Sequence, residues 1–220
     1  MLSLIKCFMI IGLSGKAQSG KDTVYKMIVY AIHYWRYYNK MKEAGYVEFK
    51  EEYSLKHMED CYNCVKDVHL GIYKHSFAKY LKEALAAVCN CDVVDFESID
   101  FKNSKVPWLD LTYRELLQKF GTAVRNEVCD DFWVKAAFKD IIKDAYIHIF
   151  TDVRFISEAE AVKKHGGVLV RINREGAGAG NHVSETELDN YEFDVVINNN
   201  GNLEDLLEQV RVLLTNLNLI

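Results

Sequence analysis

Cys7-Phe8-Met9-Ile10-Ile11-Gly12-Leu13, running directly into Ser14-Gly15-Lys16-Ala17-Gln18-Ser19-Gly20-Lys21-Asp22-Thr23, is the stretch on which the fold turns. Its first part reads as the opening strand, and later runs such as Ile147-His148-Ile149-Phe150 and Val168-Leu169-Val170 lack inside/outside alternation, as expected of strands covered on both faces. The second part reads G-x-x-x-x-G-K followed by Asp-Thr. Its glycines let the backbone turn with N–H groups inward, and the helix expected from Gly20 adds its positive end, so the segment is suited to holding phosphate. Lys21 then reaches the β- and γ-phosphates of a nucleoside triphosphate. Gly15, Lys16, Ser19, Gly20, Lys21, Asp22 and Thr23 are the residues expected around them. Asp22 stands where the strict pattern has Ser or Thr, and Thr23 supplies a hydroxyl for phosphate or Mg²⁺ one residue later. A plain strand-to-helix turn with a solvated lysine is the alternative. The strand before and the helix after the glycines favour the phosphate reading.

Beyond this stretch, short β-rich runs alternate with longer helical patterns. Strands are expected over Ile5–Leu13, Gly71–Phe77, Ala145–Thr151, Gly167–Ile172 and Asp194–Asn198. Helices are expected over Gly20–Lys42, Ala78–Val88, Thr112–Cys129, Asp131–Asp144, Ser157–His165 and Leu203–Asn216. Strand followed by helix, repeated about five times, predicts an α/β three-layer sandwich: a five-stranded parallel sheet with helices on both faces. Ligands of such sheets bind beyond the carboxyl ends of the strands. With one proline, Pro107, and no linker or repeat, residues 1–220 read as a single domain. Residues 33–70 depart from the rhythm and read as a helical insertion, aromatic at Tyr34, Trp35, Tyr37 and Tyr38, which would serve as a dimer surface or as a cap.

The 220 residues are half apolar and 12% aromatic, which excludes a disordered chain. A net charge of −5 and a pI near 5.8 argue against broad binding to nucleic acid or an anionic membrane. The first apolar run is too short to span a bilayer, and no small-residue cleavage site follows it. A reducing cytoplasm is therefore the expected setting. Cys61-x-x-Cys64 and Cys89-x-Cys91 lack the spacing of a zinc ribbon or finger and read as reduced thiols.

Arginine is scarce, seven residues against 20 lysines, yet five of the seven fall between Arg114 and Arg174. Transfer between two polyanions needs such focusing, because donor and acceptor phosphates repel and guanidinium neutralises them bidentately. Arg114 and Arg125 have the alternative of coating helix surfaces. Asp152 and Arg154 end the expected third strand, beside the phosphate loop. Asp152 suits Mg²⁺, directly or through water, and Arg154 suits a transferred phosphate. An Asp capping the next helix is the blander reading, compatible with the first. Residues 174–187, with Gly176-Ala177-Gly178-Ala179-Gly180, Arg174, His182, Ser184 and Glu185, read as a lid that excludes water from transfer, or else as a Gly-rich surface loop.

Taken in order, these segments resemble the bacteriophage-type deoxynucleoside monophosphate kinases. The resemblance rests on Ser14 through Thr23, on Ser76-Phe77-Ala78-Lys79-Tyr80-Leu81-Lys82-Glu83, and on Arg114 through Thr122 with Arg125 and Phe132-Trp133-Val134. It continues through Asp152-Val153-Arg154, His182-Val183-Ser184-Glu185 with Leu188-Asp189, and Asp194 through Gly201. Only the phosphate loop is specific by itself; the order carries the rest. The resemblance implies a nucleoside-monophosphate-kinase-like fold and transfer of the γ-phosphoryl of ATP, with Mg²⁺, to a deoxynucleoside monophosphate. Animal-type phosphomevalonate kinase shares the G-K-D loop, the D-x-R and the Ser-Glu…Leu-Asp stretch, and is the nearest rival. A nucleotide-binding module without catalysis is a third possibility.

The expected catalytic residues are Lys21, Asp152 and Arg154, with Thr23 and Asp152 toward Mg²⁺ and Arg174 beside the nucleotide. Phe77, Lys82, Arg114, Arg125, Arg154 and Glu185 are expected on the acceptor, Phe77 stacking on its base. Trp108 and Trp133 are weaker stacking candidates, Trp133 reading better as core. A phosphomonoester is already an anionic nucleophile, so positioning and charge neutralisation suffice. Small nucleotides are then the only partners, apart from a possible second copy of the chain, and the host cytoplasm is the setting for a viral member.

Overall fold

The computed structural model describes residues 8–45, 71–141, 147–178 and 183–220. They fall into two compact units, one from Met1–Lys74 and Asp144–Ile220, the other from His75–Lys143.

The first unit is built on a sheet ordered β2 (Ile72–His75), β3 (Ile147–Val153), β1 (Met9–Ser14), β4 (Val168–Asn173) and β5 (Val195–Asn198). The β1–β3, β1–β4 and β4–β5 pairings are parallel. β1 lies at the centre, which is why its apolar run shows no alternation: both of its faces are covered. Ile11 and Leu13 face α1 (Lys21–Glu43) and the last helix, Leu203–Asn216, in a core that takes Val24, Met27, Ile28, Leu206 and Val210. Helix Ile156–Lys164 packs on β1 and β4, with Val162 over Gly12, whose neighbours Ile11 and Leu13 point the other way. The expected α/β architecture, a five-stranded parallel sheet with helices on both faces, is present.

Helix α1 runs beyond His33 to Glu43, into the stretch expected to be an insertion. The remainder of that stretch, 46–70 with Cys61 and Cys64, lies outside the described residues, as do Ile5 to Cys7 of the first expected strand.

The second unit comprises α2 (Lys79–Cys89), a 3₁₀ turn (Val93–Glu97), α3 (Ile99–Asn103), α4 (Tyr113–Glu127) and α5 (Phe132–Phe138). Numbering the others in chain order, Ile156–Lys164 is α6, Val183–Thr186 is α7 and Leu203–Asn216 is α8. Thr112 and Glu115 close a capping box on α4, each satisfying a backbone N–H; such a cap contributes about 1 kcal/mol. Phe101 stacks on Tyr113 at 4.1 Å between ring centroids, over a core of Leu85, Phe96 and Val106.

The helix expected over Asp131–Asp144 is shorter than the pattern suggested. After Phe138 the backbone tightens to i→i+3 bonds, Asp140 N–H to Ala137 and Ile141 N–H to Phe138, which ends the α-helix. Residues 142–146 lie outside the described part. Cys89 and Cys91 are free, partly buried thiols, and burial raises both pKa values.

Candidate active site

β1 ends at Ser14, and the chain turns through Gly15–Ser19 before α1 begins at Lys21. Two glycines make the turn possible. A Cβ on Gly15 would stand 2.4 Å from Ser19 Oγ and 2.6 Å from the carbonyl oxygen of Ile172. Gly20 has φ 101°, in the left-handed region, and a Cβ there would meet the Asn199 amide nitrogen at 2.4 Å. Ser19 N–H donates to the Lys16 carbonyl at 3.2 Å, and the Asn199 side chain donates to the Ser19 carbonyl at 2.8 Å. Ser19 Oγ is buried and has no hydrogen-bond partner among the described residues. A buried hydroxyl without a partner inside a tight glycine turn fits an incoming phosphate oxygen.

A specific loss follows for Gly15→Ala. The Ser19 hydroxyl can rotate away from the added methyl, but the Ile172 carbonyl belongs to the sheet and can move only with the strand. Calorimetry should show ATP affinity at least about tenfold weaker, with a fall of about 1–3 kcal/mol in stability. Unchanged binding would show that the tightness of this turn is irrelevant to the ligand.

Lys21 folds back over the loop, its ammonium donating to the Gly15 carbonyl at 2.6 Å and the Lys16 carbonyl at 2.8 Å. Burial, and then the positive charge of Arg154, push its pKa down to about 8, against the opposing pull of Glu185, Asp22 and Asp152. Lys21, Arg154, Asp152 and Glu185 therefore share one electrostatic neighbourhood. Asp22 departs from expectation: its side chain is 78% exposed and pairs with Lys74 at 3.1 Å. Asp22 lies in the first turn of α1, where its carboxylate also meets the positive end of the helix.

Arg154, just past β3, pairs with Glu185 of α7, and the second oxygen of Glu185 accepts the Ala17 N–H at 2.9 Å. Glu158 is buried and accepts the N–H groups of Arg154 and Phe155 at 2.8 and 3.2 Å, so α6 is capped from within. Asp152, the residue before Val153 at the end of β3, is electrostatically coupled to Lys21.

Arg174 lines a cleft of about 330 Å³ with Gly20, Thr23, Asn199 and Asn200. It also borders an adjoining one of about 290 Å³ with Lys16, Ser19 and Arg171. The expected nucleotide-side residues Gly15, Lys16, Ser19, Gly20, Lys21, Thr23 and Arg174 thus gather at the carboxyl edge of the sheet. Of the segment expected to be a lid, Ala179 to His182 lie outside the described residues.

Three residues that lie in segments singled out above, but were not among the expected site residues, also stand at the loop. Arg171, at the end of β4, donates to Ser14 Oγ at 3.3 Å and pairs with Asp189 at 3.0 Å. Asp189 also holds Lys16 at 3.1 Å. Asn199 follows β5 and carries the loop through Ser19. The available signal was position: Arg171 and Asn199 both sit at strand carboxyl ends, where ligands of such sheets bind.

The expected acceptor residues Phe77, Lys82, Arg114 and Arg125 belong to the second unit. Lys82 pairs with Glu97 at 2.7 Å, Arg114 donates to Asn103 at 3.1 Å, and the buried Arg125 pairs with the exposed Asp130 at 3.3 Å. Phe77 corrects the expectation of a base-stacking ring. It is 2% exposed, with Phe138 at 6.2 Å, so its faces are filled by packing. Trp133 is core as well, its indole N–H donating to Gly121 at 3.1 Å.

A parallel sheet whose central strand feeds a glycine turn, a buried lysine and a helix, with arginines at the neighbouring strand ends, defines an α/β protein of the nucleoside-monophosphate-kinase-like kind. Residues 47–210 match the model of the deoxynucleotide monophosphate kinase family, and the chain belongs to that family. The match begins downstream of the phosphate loop, so the loop geometry and the family match are separate observations. The chain is 28% identical over 166 residues to a protein of Acanthamoeba polyphaga mimivirus provisionally named deoxynucleotide monophosphate kinase, covering 64% of this chain and 82% of that one. It is 32% identical over 107 residues to the deoxynucleotide monophosphate kinase of Escherichia phage RB69, covering 46% of this chain and 44% of the phage protein.

Proposed function

We propose that this chain is a deoxynucleoside monophosphate kinase that transfers the γ-phosphoryl group of ATP to a deoxynucleoside monophosphate. The observation that carries the reading is the convergence of the Ala17 N–H, the Arg154 guanidinium and the Lys21 ammonium around one anionic group, at the carboxyl end of the central strand. An oxygen of the acceptor phosphate attacks the γ-phosphorus while the bond to the β–γ bridging oxygen breaks, giving ADP and the deoxynucleoside diphosphate. The acceptor oxygen is already ionised at neutral pH, so the protein supplies alignment and positive charge rather than a base. Lys16, Lys21 and the loop N–H groups bind the donor's phosphates, and Arg154 bridges toward the transferred group. Thr23 and Asp152 offer hard oxygen ligands of the sort Mg²⁺ takes; when bound, the ion neutralises charge building on the β- and γ-oxygens. Arg174 flanks the nucleotide, and Lys82, Arg114 and Arg125 are the acceptor contacts of the second unit.

Residues 1–220 are read as one kinase domain, with 33–70 as insertion and 174–187 as lid. It acts on small nucleotides in the cytoplasm, which is the host's if the chain is viral, alone or as a homodimer. Among the described residues no helix is long and apolar enough to cross a membrane.

The test is a coupled assay of ADP formation with ATP, Mg²⁺ and each of the four common deoxynucleoside monophosphates, with phosphomevalonate alongside. At least one deoxynucleotide should drive turnover. Turnover with phosphomevalonate alone, or ATP binding without acceptor-dependent turnover, would overturn the reading.

A further inference from the structure

We infer that the Glu185 carboxylate is an internal stand-in for a nucleotide phosphate: it sits in the anion seat of the loop, and a polyanion must displace it to bind. The inference rests on reading the loop as a phosphate cradle and gives Glu185 a role opposite in sign to substrate binding.

The geometry is that of an oxyanion site with an occupant. One carboxylate oxygen accepts the Ala17 N–H at 2.9 Å, inside the glycine turn, and the other takes the Arg154 guanidinium. A main-chain N–H of the turn plus a fixed guanidinium is what holds a phosphate oxygen pair in loops of this type. The Glu185 side chain is only 12% exposed, so it is seated in the site rather than resting on its rim. Lys21 meanwhile turns its ammonium to two loop carbonyls at 2.6 and 2.8 Å.

Asp189, four residues on, repeats the pattern one layer out, bridging Lys16 at 3.1 Å and Arg171 at 3.0 Å. Two carboxylates of one short segment thus neutralise three cations that a triphosphate would otherwise attract. A glutamate that stayed beside bound phosphates would repel them, since like charges this close in a partly buried site oppose binding. Glu185 must therefore give up Ala17 and Arg154 when nucleotide arrives.

Glu185→Gln keeps size and the ability to accept the Ala17 N–H but removes the charge that competes with phosphate. Calorimetric titration of the full chain with inorganic tripolyphosphate and with ATP should show the variant binding on the order of tenfold more tightly than wild type. Lys21→Met, titrated in parallel, should bind more weakly. Glu185→Asp, too short to span both partners, should also tighten binding, which keeps the test alive should the glutamine variant fold poorly. Equal or weaker binding by well-folded Glu185 variants, with wild type still binding and turning over, would overturn the inference and leave the kinase reading standing. Absence of tripolyphosphate binding by wild type and variants alike would overturn both.

Discussion

Lys21→Met should lower phosphoryl transfer by about three orders of magnitude while leaving the folded protein at least as stable at pH 7. The first half follows from placement. The ammonium is held at the loop by the Gly15 and Lys16 carbonyls, within reach of the phosphates it is proposed to bind, and removal of one such donor to a transferring group costs about 10²–10³-fold. The second half follows from linkage. Burial, then Arg154, hold the folded pKa near 8, below the ordinary value of 10.5. Between those two values the unfolded chain binds more protons than the folded one, so stability rises as pH climbs from about 8 to 10.5. Below pH 8 the charged lysine is a standing cost of about 3 kcal/mol, partly offset by its two carbonyl bonds. Methionine keeps most of the aliphatic length and removes the charge. Thermal unfolding at pH 7 should show the variant's midpoint equal to or above wild type, and the coupled assay should show transfer near background. Turnover within tenfold of wild type would remove Lys21 from the chemistry.

The run from Met9 to Thr23 was legible because strand, glycines, lysine and helix start are consecutive, and one local pattern encodes the whole phosphate loop. Arg154 was placed at the strand's carboxyl end from the D-x-R that closes an apolar β-rich run, and it lies there, just past β3. The Glu185 contact with Ala17 joins residues 168 apart, and nothing in either neighbourhood names the other. Arg171 was legible as one of the clustered arginines and Asn199 as part of the last strand's turn, but their place at the loop depends on the strand order, which puts β4 beside β1 and β5 beside β4. Phe77 was misread because an aromatic at a strand-to-helix junction suits a base stack and a core equally well, and Phe138, 61 positions away, decides for the core. Short elements failed for their own reason. The 3₁₀ turn Val93–Glu97 and α3 are set by Asp92, Asp95 and Ser98 capping bonds, not by hydrophobic period, so periodicity does not show them.

Arg154→Ala should cut transfer by about 10³-fold and, in the same protein, move the alkaline limb of the kcat/KM profile to higher pH. The guanidinium is the cation at the β3 end shared between the phosphate loop and α7, and arginines that bridge transferring phosphoryl groups contribute about 10³–10⁵ in rate. Arg154→Lys should recover only a small part, because an ammonium cannot reproduce the two-pronged geometry. The shift in pH dependence has a separate cause. In wild type kcat/KM should fall as pH rises through about 8, where Lys21 of the free enzyme loses its proton. Arg154 is the largest charge-based influence lowering that pKa, and Glu185, which Arg154 partly neutralises, acts to raise it. Removing Arg154 therefore withdraws the repulsion and frees the attraction; both changes favour the protonated lysine. A variant that loses rate with the limb unmoved would place Arg154 on the phosphates but outside the Lys21 field. A limb that moves in Arg154→Ala but not in Arg171→Ala would assign the coupling to the β3 arginine alone, because Arg171 is tied instead to Ser14 and Asp189.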